Sequence, residues 1–252
     1  MRTALFVTCL VDLFRPNVGF ATIRLLEAAG CQVDVPDVQT CCGQPAFNNG
    51  DAEDARAIAR QVIEAFDGYE YVVIPSGSCA GMLTRHYPEL FRDDPVWRAK
   101  AEGLATRSHE LTQFLAEVVA DATIRADYPG AVTYHDSCSS LREMRVEAQP
   151  RALLDMVDGL RRVEMNGTES CCGFGGTFCV KYPELSERMV NDKVANIEAS
   201  GADTLLAGDL GCLLNIAGRL KRLDKPVKVY HIAEVLAGMT DVPGIGDGEP
   251  KS

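Results

Sequence analysis

The chain has 252 residues, 46% of them hydrophobic, enough to bury a substantial core as one large domain or two half-sized ones without covalent staples. Its net charge of -11 argues against a nucleic-acid backbone or an anionic membrane surface as partner, since both are bound by positive patches. The opening apolar stretch, Ala4 to Val11, is too short for a secretory core with its cleavage site and far too short to span a bilayer, so the expectation is a cytoplasmic protein with no membrane insertion.

Along the chain, short β-branched or aromatic runs alternate with amphipathic segments, the pattern of β-α-β units on a parallel sheet. In the first half this predicts strands at Ala4 to Thr8, Gln32 to Val35 and Tyr71 to Ile74, and helices at about Val18 to Ala29, Ala52 to Phe66, Ala80 to Tyr87 and Glu110 to Val119. A linker is expected near Asp121 to Gly130, where Asp127-Tyr128-Pro129-Gly130 supplies turn chemistry. The second half predicts strands at Val132 to His135, Arg161 to Glu164, Thr204 to Leu206 and Val227 to Tyr230, with helices at about Pro183 to Ser200, Cys212 to Arg222 and Ile232 to Ala237. After Asp241 the run PGIGDGEPKS has no periodicity and reads as a frayed tail. The expected fold is therefore α/β, with two tandem pseudo-symmetric β-α-β repeats on parallel sheets, residues 1–125 and 126–240, followed by a flexible tail, 241–252.

The repeat is carried by cysteines. Cys9 recurs as Cys138, Cys41 and Cys42 as Cys171 and Cys172, Gly43 as Gly173, and Cys79 as Cys212, at offsets of 129, 130, 130, 130 and 133 residues. In each half the cysteines follow predicted strands, and open parallel sheets place ligands in the crevice beyond strand C-terminal ends, so distant cysteines can converge there. In a reducing compartment ten cysteines read as metal ligands or redox thiols rather than as disulfides. Four converging thiolates repel one another unless a cation neutralises them, which makes metal binding the leading interpretation.

Zinc and iron-sulfur clusters both accept four sulfurs. Structural zinc sites usually draw cysteines in C-x₂₋₄-C pairs, and no such pair occurs here; vicinal cysteines more naturally address two neighbouring atoms of a cluster. Gly43 and Gly173 are expected to allow positive φ and close approach of the backbone to a bulky group. Backbone amides of the run Gly173-Phe174-Gly175-Gly176-Thr177 are placed to donate to cluster sulfurs, whereas the Gly-Lys-Ser/Thr ending of a phosphate loop is missing. Cys31 and Cys179 have no counterpart in the repeat: Cys31 reads as core, and Cys179 either lies near the second site or does not. From His135 and His231 an imidazole can reach the crevice, against the plainer reading of satisfied histidines at strand ends. A serine hydrolase, a glycosidase and a Rossmann dinucleotide site all lack their local signatures.

With these residues in hand, the sequence resembles the CCG-domain iron-sulfur proteins, a family shared by the cysteine-rich component of heterodisulfide reductase and the iron-sulfur subunits of glycolate and glycerol-3-phosphate oxidation. Over nearly the whole chain it more closely resembles the lactate utilization A group of that family, through LFVTCLVD, QTCCGQPAFN, PSGSCAGM, CCGFGGTF and GCLLNIAGRL. The resemblance implies one subunit of a three-protein cytoplasmic system that oxidises L-lactate to pyruvate without NAD, alongside a ferredoxin-like iron-sulfur partner and a third subunit. It implies one or two [4Fe-4S] clusters held by Cys9, Cys41, Cys42 and Cys79 and by Cys138, Cys171, Cys172 and Cys212.

In heterodisulfide reductase the fuller motif ends in Cys-x-x-Cys and holds a noncubane cluster. Cys79 and Cys212 match its last cysteine, while Ser76 and Asp209 stand where the first would be. Each site therefore has four cysteines instead of five, which leaves cubane and noncubane forms open and makes Asp209 either an oxygen ligand or the N-cap of the next helix. Two mechanisms follow: the clusters relay electrons from lactate oxidised elsewhere, or an incompletely thiolate-ligated iron binds the 2-hydroxy acid as a Lewis acid. The relay is favoured because the chain shows no flavin or nicotinamide site. The alternatives are a cluster-based component of a disulfide reductase and a non-enzymatic, zinc-stabilised scaffold.

Overall fold

The computed structural model describes residues 1–119 and 124–248. Two four-stranded sheets, all parallel, carry the architecture. The first contains β1 (Arg2–Leu5), β2 (Gln32–Asp34), β3 (Tyr71–Ile74) and β4 (Ser108–Glu110) in the order β2-β1-β3-β4. The second contains β5 (Asp127–His135), β6 (Asp158–Arg162), β7 (Thr204–Ala207) and β8 (Lys228–His231) in the order β6-β5-β7-β8, so the second sheet repeats the topology of the first. Register repeats too: Thr3 pairs with Tyr71 as Val132 pairs with Thr204.

The inner strands are short apolar runs because helices cover both faces of a parallel sheet. Val72, Val73 and Ile74 of β3 are fully buried, as are Leu205, Leu206 and Ala207 of β7. Each of the larger ones contributes about 1.5–3 kcal/mol by leaving water. The edge strands β2 and β6 are polar and largely exposed. One apolar core runs through both halves, uniting Val11, Leu26 and Phe114 with Val132, Leu206 and Leu236.

Several expectations change in detail. The turn sequence Asp127-Tyr128-Pro129-Gly130 lies inside β5 instead of in a linker, and the register with β6 shifts between Asp127 and Gly130, where Pro129 has no N–H for the ladder. Residues 121–123 of the expected linker lie outside the described residues. β4 is an addition to the expected strands, because Ser-His-Glu is a polar triplet whose strand character comes from its pairing with β3. The helix Pro95–Ala105 is also additional, opened by Asp94, whose side chain accepts from Trp97 N, and by Pro95 in the first turn. The segment read as a frayed tail packs on β8 as far as it is described: Ile245 is buried and its N–H donates to the Val229 carbonyl. Residues 249–252 lie outside the described residues.

Candidate metal centre

Each cysteine reaches the site through a strand followed by a tight entry into a helix. Cys9 opens the helix Cys9–Phe14, capped by Thr8, and Cys138 opens Cys138–Arg142, capped by Ser137. Cys79 sits in Gly77–Gly81, capped by Ser76, and Cys212 in Leu210–Arg222, capped by Asp209. The vicinal pairs lie on the loops after β2 and β6. There the chain turns at Gly43 (φ 81°) and Gly173 (φ 82°), and a Cβ on Gly173 would stand 2.7 Å from the Ser186 carbonyl oxygen.

The eight cysteines come together as two strings of four. Cys9 Sγ lies 3.8 Å from Cys41 Sγ, and Cys42 interacts in turn with Cys41 and Cys79. In the second half Cys171 interacts with Cys138 and Cys172, and Cys172 with Cys212. The carbonyl behind each vicinal pair is fixed by a side chain, Tyr87 Oη donating to Cys42 O and Asn215 Nδ2 to Cys172 O, both at 2.8 Å.

The electrostatics have the same form in both halves. Hydrogen bonds from Cys42 and Cys9 bring the Cys41 thiol down to about 2, and those from Cys138 and Cys172 bring Cys171 down to about 2. The Gly173 amide adds a donor 3.4 Å from Cys171 Sγ. Their neighbours move the other way: hydrogen bonding to Cys41 and burial raise Cys9 and Cys42, and hydrogen bonding to Cys171 and burial raise Cys138 and Cys172. One sulfur in each half is thus favoured as thiolate by its neighbours' thiols, and a cation bound there would displace their protons. Four sulfurs gathered at the strand ends of a sheet, one of them favoured as thiolate, fit a thiophilic metal group.

The two sites face one another. The first opens into a cavity of about 120 Å³ and the second into one of about 350 Å³, and Gln44, Asn48, Ser78, Phe174, Gly176 and Asp209 line both. Asp209 joins the halves: its Oδ1 accepts from Gly211 N at 3.2 Å, as an N-cap, and its Oδ2 accepts from Ser76 Oγ at 3.2 Å and Ser78 N at 3.0 Å. The N-cap reading accounts for this residue, and no metal is needed to explain its burial. Of the two cysteines outside the repeat, Cys31 is buried in the core, and Cys179 donates to the Gly176 carbonyl at 3.2 Å and lines neither cavity.

His231 caps the helix Ile232–Leu236, its Nδ1 accepting from Ala233 N. Burial depresses both His135 and His231 to about 4. Two buried groups near the site escape the cysteine pattern. Lys193 is buried and donates to the carbonyls of Gly167, at 2.6 Å, and Thr168, at 3.2 Å. Its signal in the sequence is a lysine among Val190, Val194 and Ile197 on one apolar helix face. Glu110, at the end of β4, is raised to about 7 by burial.

Comparison with known proteins finds the same twofold repeat. The family model of the cysteine-rich domain (CCG) matches residues 3–84 and 132–217, once in each half. Lactate utilization protein A of Bacillus subtilis (strain 168) is 51% identical over 236 residues, covering 94% of this chain and 99% of that protein. The protein of that name from Geobacillus thermodenitrificans (strain NG80-2) is 50% identical, covering 94% and 98%. Among solved structures, a hypothetical protein from Helicobacter pylori superposes with a TM-score of 0.60 at 12% identity over 96% of this chain and 49% of its own, a likeness of fold alone. The chain belongs to the cysteine-rich domain family and carries that domain twice.

Proposed function

We propose that the chain is the iron-sulfur subunit of a cytoplasmic system that oxidises L-lactate to pyruvate, and that it relays electrons rather than binding the 2-hydroxy acid. The observation that carries the reading is the pair of four-thiol strings at the strand ends, facing each other across shared side chains. The lactate assignment rests on the relatives' name and on half-identity over 94% of the chain.

Cys9, Cys41, Cys42 and Cys79 would hold one [4Fe-4S]-type cluster, and Cys138, Cys171, Cys172 and Cys212 a second. When bound, such clusters supply one-electron storage at potentials set by net charge, hydrogen bonds to sulfur and exposure to water. The protein's own contributions are specific. The Gly173 amide donates to Cys171 Sγ, Tyr87 and Asn215 hold the vicinal pairs in place, and buried Cys42 and Cys172 keep solvent from the inner side of each site. Hydrogen bonds already engage both oxygens of Asp209, which supports the relay over an open Lewis-acid site.

The ferredoxin-like partner and the third subunit would oxidise lactate and exchange electrons at this surface. Among the described residues no helix is long and apolar enough to cross a membrane. All ten cysteines are free thiols, which fits a reducing compartment. A bacterial strain relying on this chain and carrying Cys42→Ala or Cys172→Ala should lose growth on L-lactate while keeping growth on pyruvate. Undiminished growth on lactate would contradict the proposal.

A further inference from the structure

The second site has a side chain that its twin lacks. His135 ends β5 three residues before Cys138, and the 129-residue offset that aligns Cys9 with Cys138 aligns His135 with Phe6. Phe6 is buried in apolar packing, its ring 5.3 Å from that of Phe66. By contrast, a ring nitrogen of His135 and the sulfurs of Cys172 and Cys212 all lie within 4.8 Å of one another.

The tautomer follows from the neighbours. His135 Nδ1 stands 3.2 Å from the Thr168 carbonyl oxygen, and a carbonyl only accepts, so Nδ1 carries the proton and Nε2 the lone pair. Lys193 donates to the same carbonyl and to that of Gly167, which anchors the loop. The His135 side chain is wholly buried, and Nε2 has no hydrogen-bond partner among the described residues. An unpartnered acceptor costs free energy in a protein interior unless something occupies it. A histidine that ligates a metal gives its other N–H to a carboxylate or backbone carbonyl, and His135 is held in that way.

We propose that His135 is a nitrogen ligand of the metal group held by the second half, so that the two halves build chemically different centres. The first is sulfur-only; the second combines sulfur with imidazole. This rests on the iron-sulfur reading of the cysteines. Where histidine takes the place of a cysteine on a cluster iron, the centre carries less negative charge and its reduction potential rises; an imidazole at the second site therefore sets the potentials of the two centres apart.

The test uses the full chain, loaded anaerobically with iron and sulfide and carrying histidine labelled with ¹⁵N, analysed by pulsed EPR after reduction. The unsubstituted protein should show strong imidazole nitrogen coupling on one of its two signals. The coupling should be lost in His135→Ala and unchanged in His231→Ala, and the His135 substitution should shift one midpoint potential while leaving the other in place. Loaded protein without imidazole coupling, or with coupling that survives His135→Ala, overturns the proposal; the unsubstituted chain alone decides the first point. A chain that retains neither iron nor sulfide overturns the iron-sulfur reading itself, and the ligand assignment with it.

Discussion

At the scale of single residues, Asp209 ties the two sites together. Its substitution by Ala removes an N-cap worth about 1 kcal/mol and leaves the Ser78 N–H and Ser76 hydroxyl without their acceptor, at about 1–3 kcal/mol. Urea denaturation should therefore find the variant about 2–4 kcal/mol less stable, and a loss below about 0.5 kcal/mol would show that the bridge carries nothing. Glu110 sets a pH dependence. Its carboxyl titrates at about 7 in the folded chain and near 4.5 when unfolded, because burial disfavours the charge. Between those values the folded state keeps a proton that the unfolded state releases, so this residue's contribution is complete below about 4.5 and disappears as the pH rises through about 7. The difference in stability between Glu110→Gln and the unsubstituted chain should change across that window and be flat above it; a pH-independent difference would contradict the assignment.

The eight repeated cysteines and the two glycines were legible in the sequence because their offsets are nearly constant and metal chemistry restricts which residues can replace them. Asp209 was half legible. Its N-cap role follows from its place before a helix, but its bonds to Ser76 and Ser78, 133 and 131 residues away, depend on how the halves meet. His135 was visible only as a histidine near a cysteine, and its unpartnered nitrogen needed the fold to be known.

At the scale of elements, the halves meet where the helix Gly77–Gly81 lies against Cys138–Arg142. Gly77 is needed there, since a Cβ would stand 2.8 Å from the Ser140 backbone nitrogen, whereas one on Gly81 would displace the carboxylate of Glu143. Two small residues four apart make one smooth strip of a helix, a spacing the sequence displayed but whose meaning depended on the neighbour. Gly77→Val should lower stability by about 2 kcal/mol through overpacking. Gly103, in the exposed part of the helix Pro95–Ala105, has nothing within 4 Å of an added Cβ. Gly103→Ala should instead stabilise by up to about 1 kcal/mol through helix propensity. Thermal unfolding of the two variants checks both signs, and equal effects would remove the distinction between packed and open glycine.

The inner strands are predictable to within a few residues because parallel strands covered on both faces are continuous apolar runs. β4 and the start of β5 are not, since Ser-His-Glu and Asp-Tyr-Pro-Gly have the composition of turns and become strands only through the ladders with β3 and β6.

At the scale of the whole molecule, the chain is two copies of one sheet topology with their strand ends turned toward a common space. Duplication explains the symmetry of the cysteines. The halves differ where Phe6 in one answers to His135 in the other. A relay gains from such asymmetry, because two centres in different surroundings differ in potential.

The most direct test of the central claim is metal analysis of the anaerobically purified chain, with iron, acid-labile sulfide and zinc counted per molecule and EPR recorded before and after reduction. Two four-iron centres require about eight irons and about eight sulfides, with signals that respond to reduction. Zinc without sulfide, persisting after reconstitution with iron and sulfide and silent on reduction, would contradict the account and leave the cysteines as a zinc-stabilised scaffold.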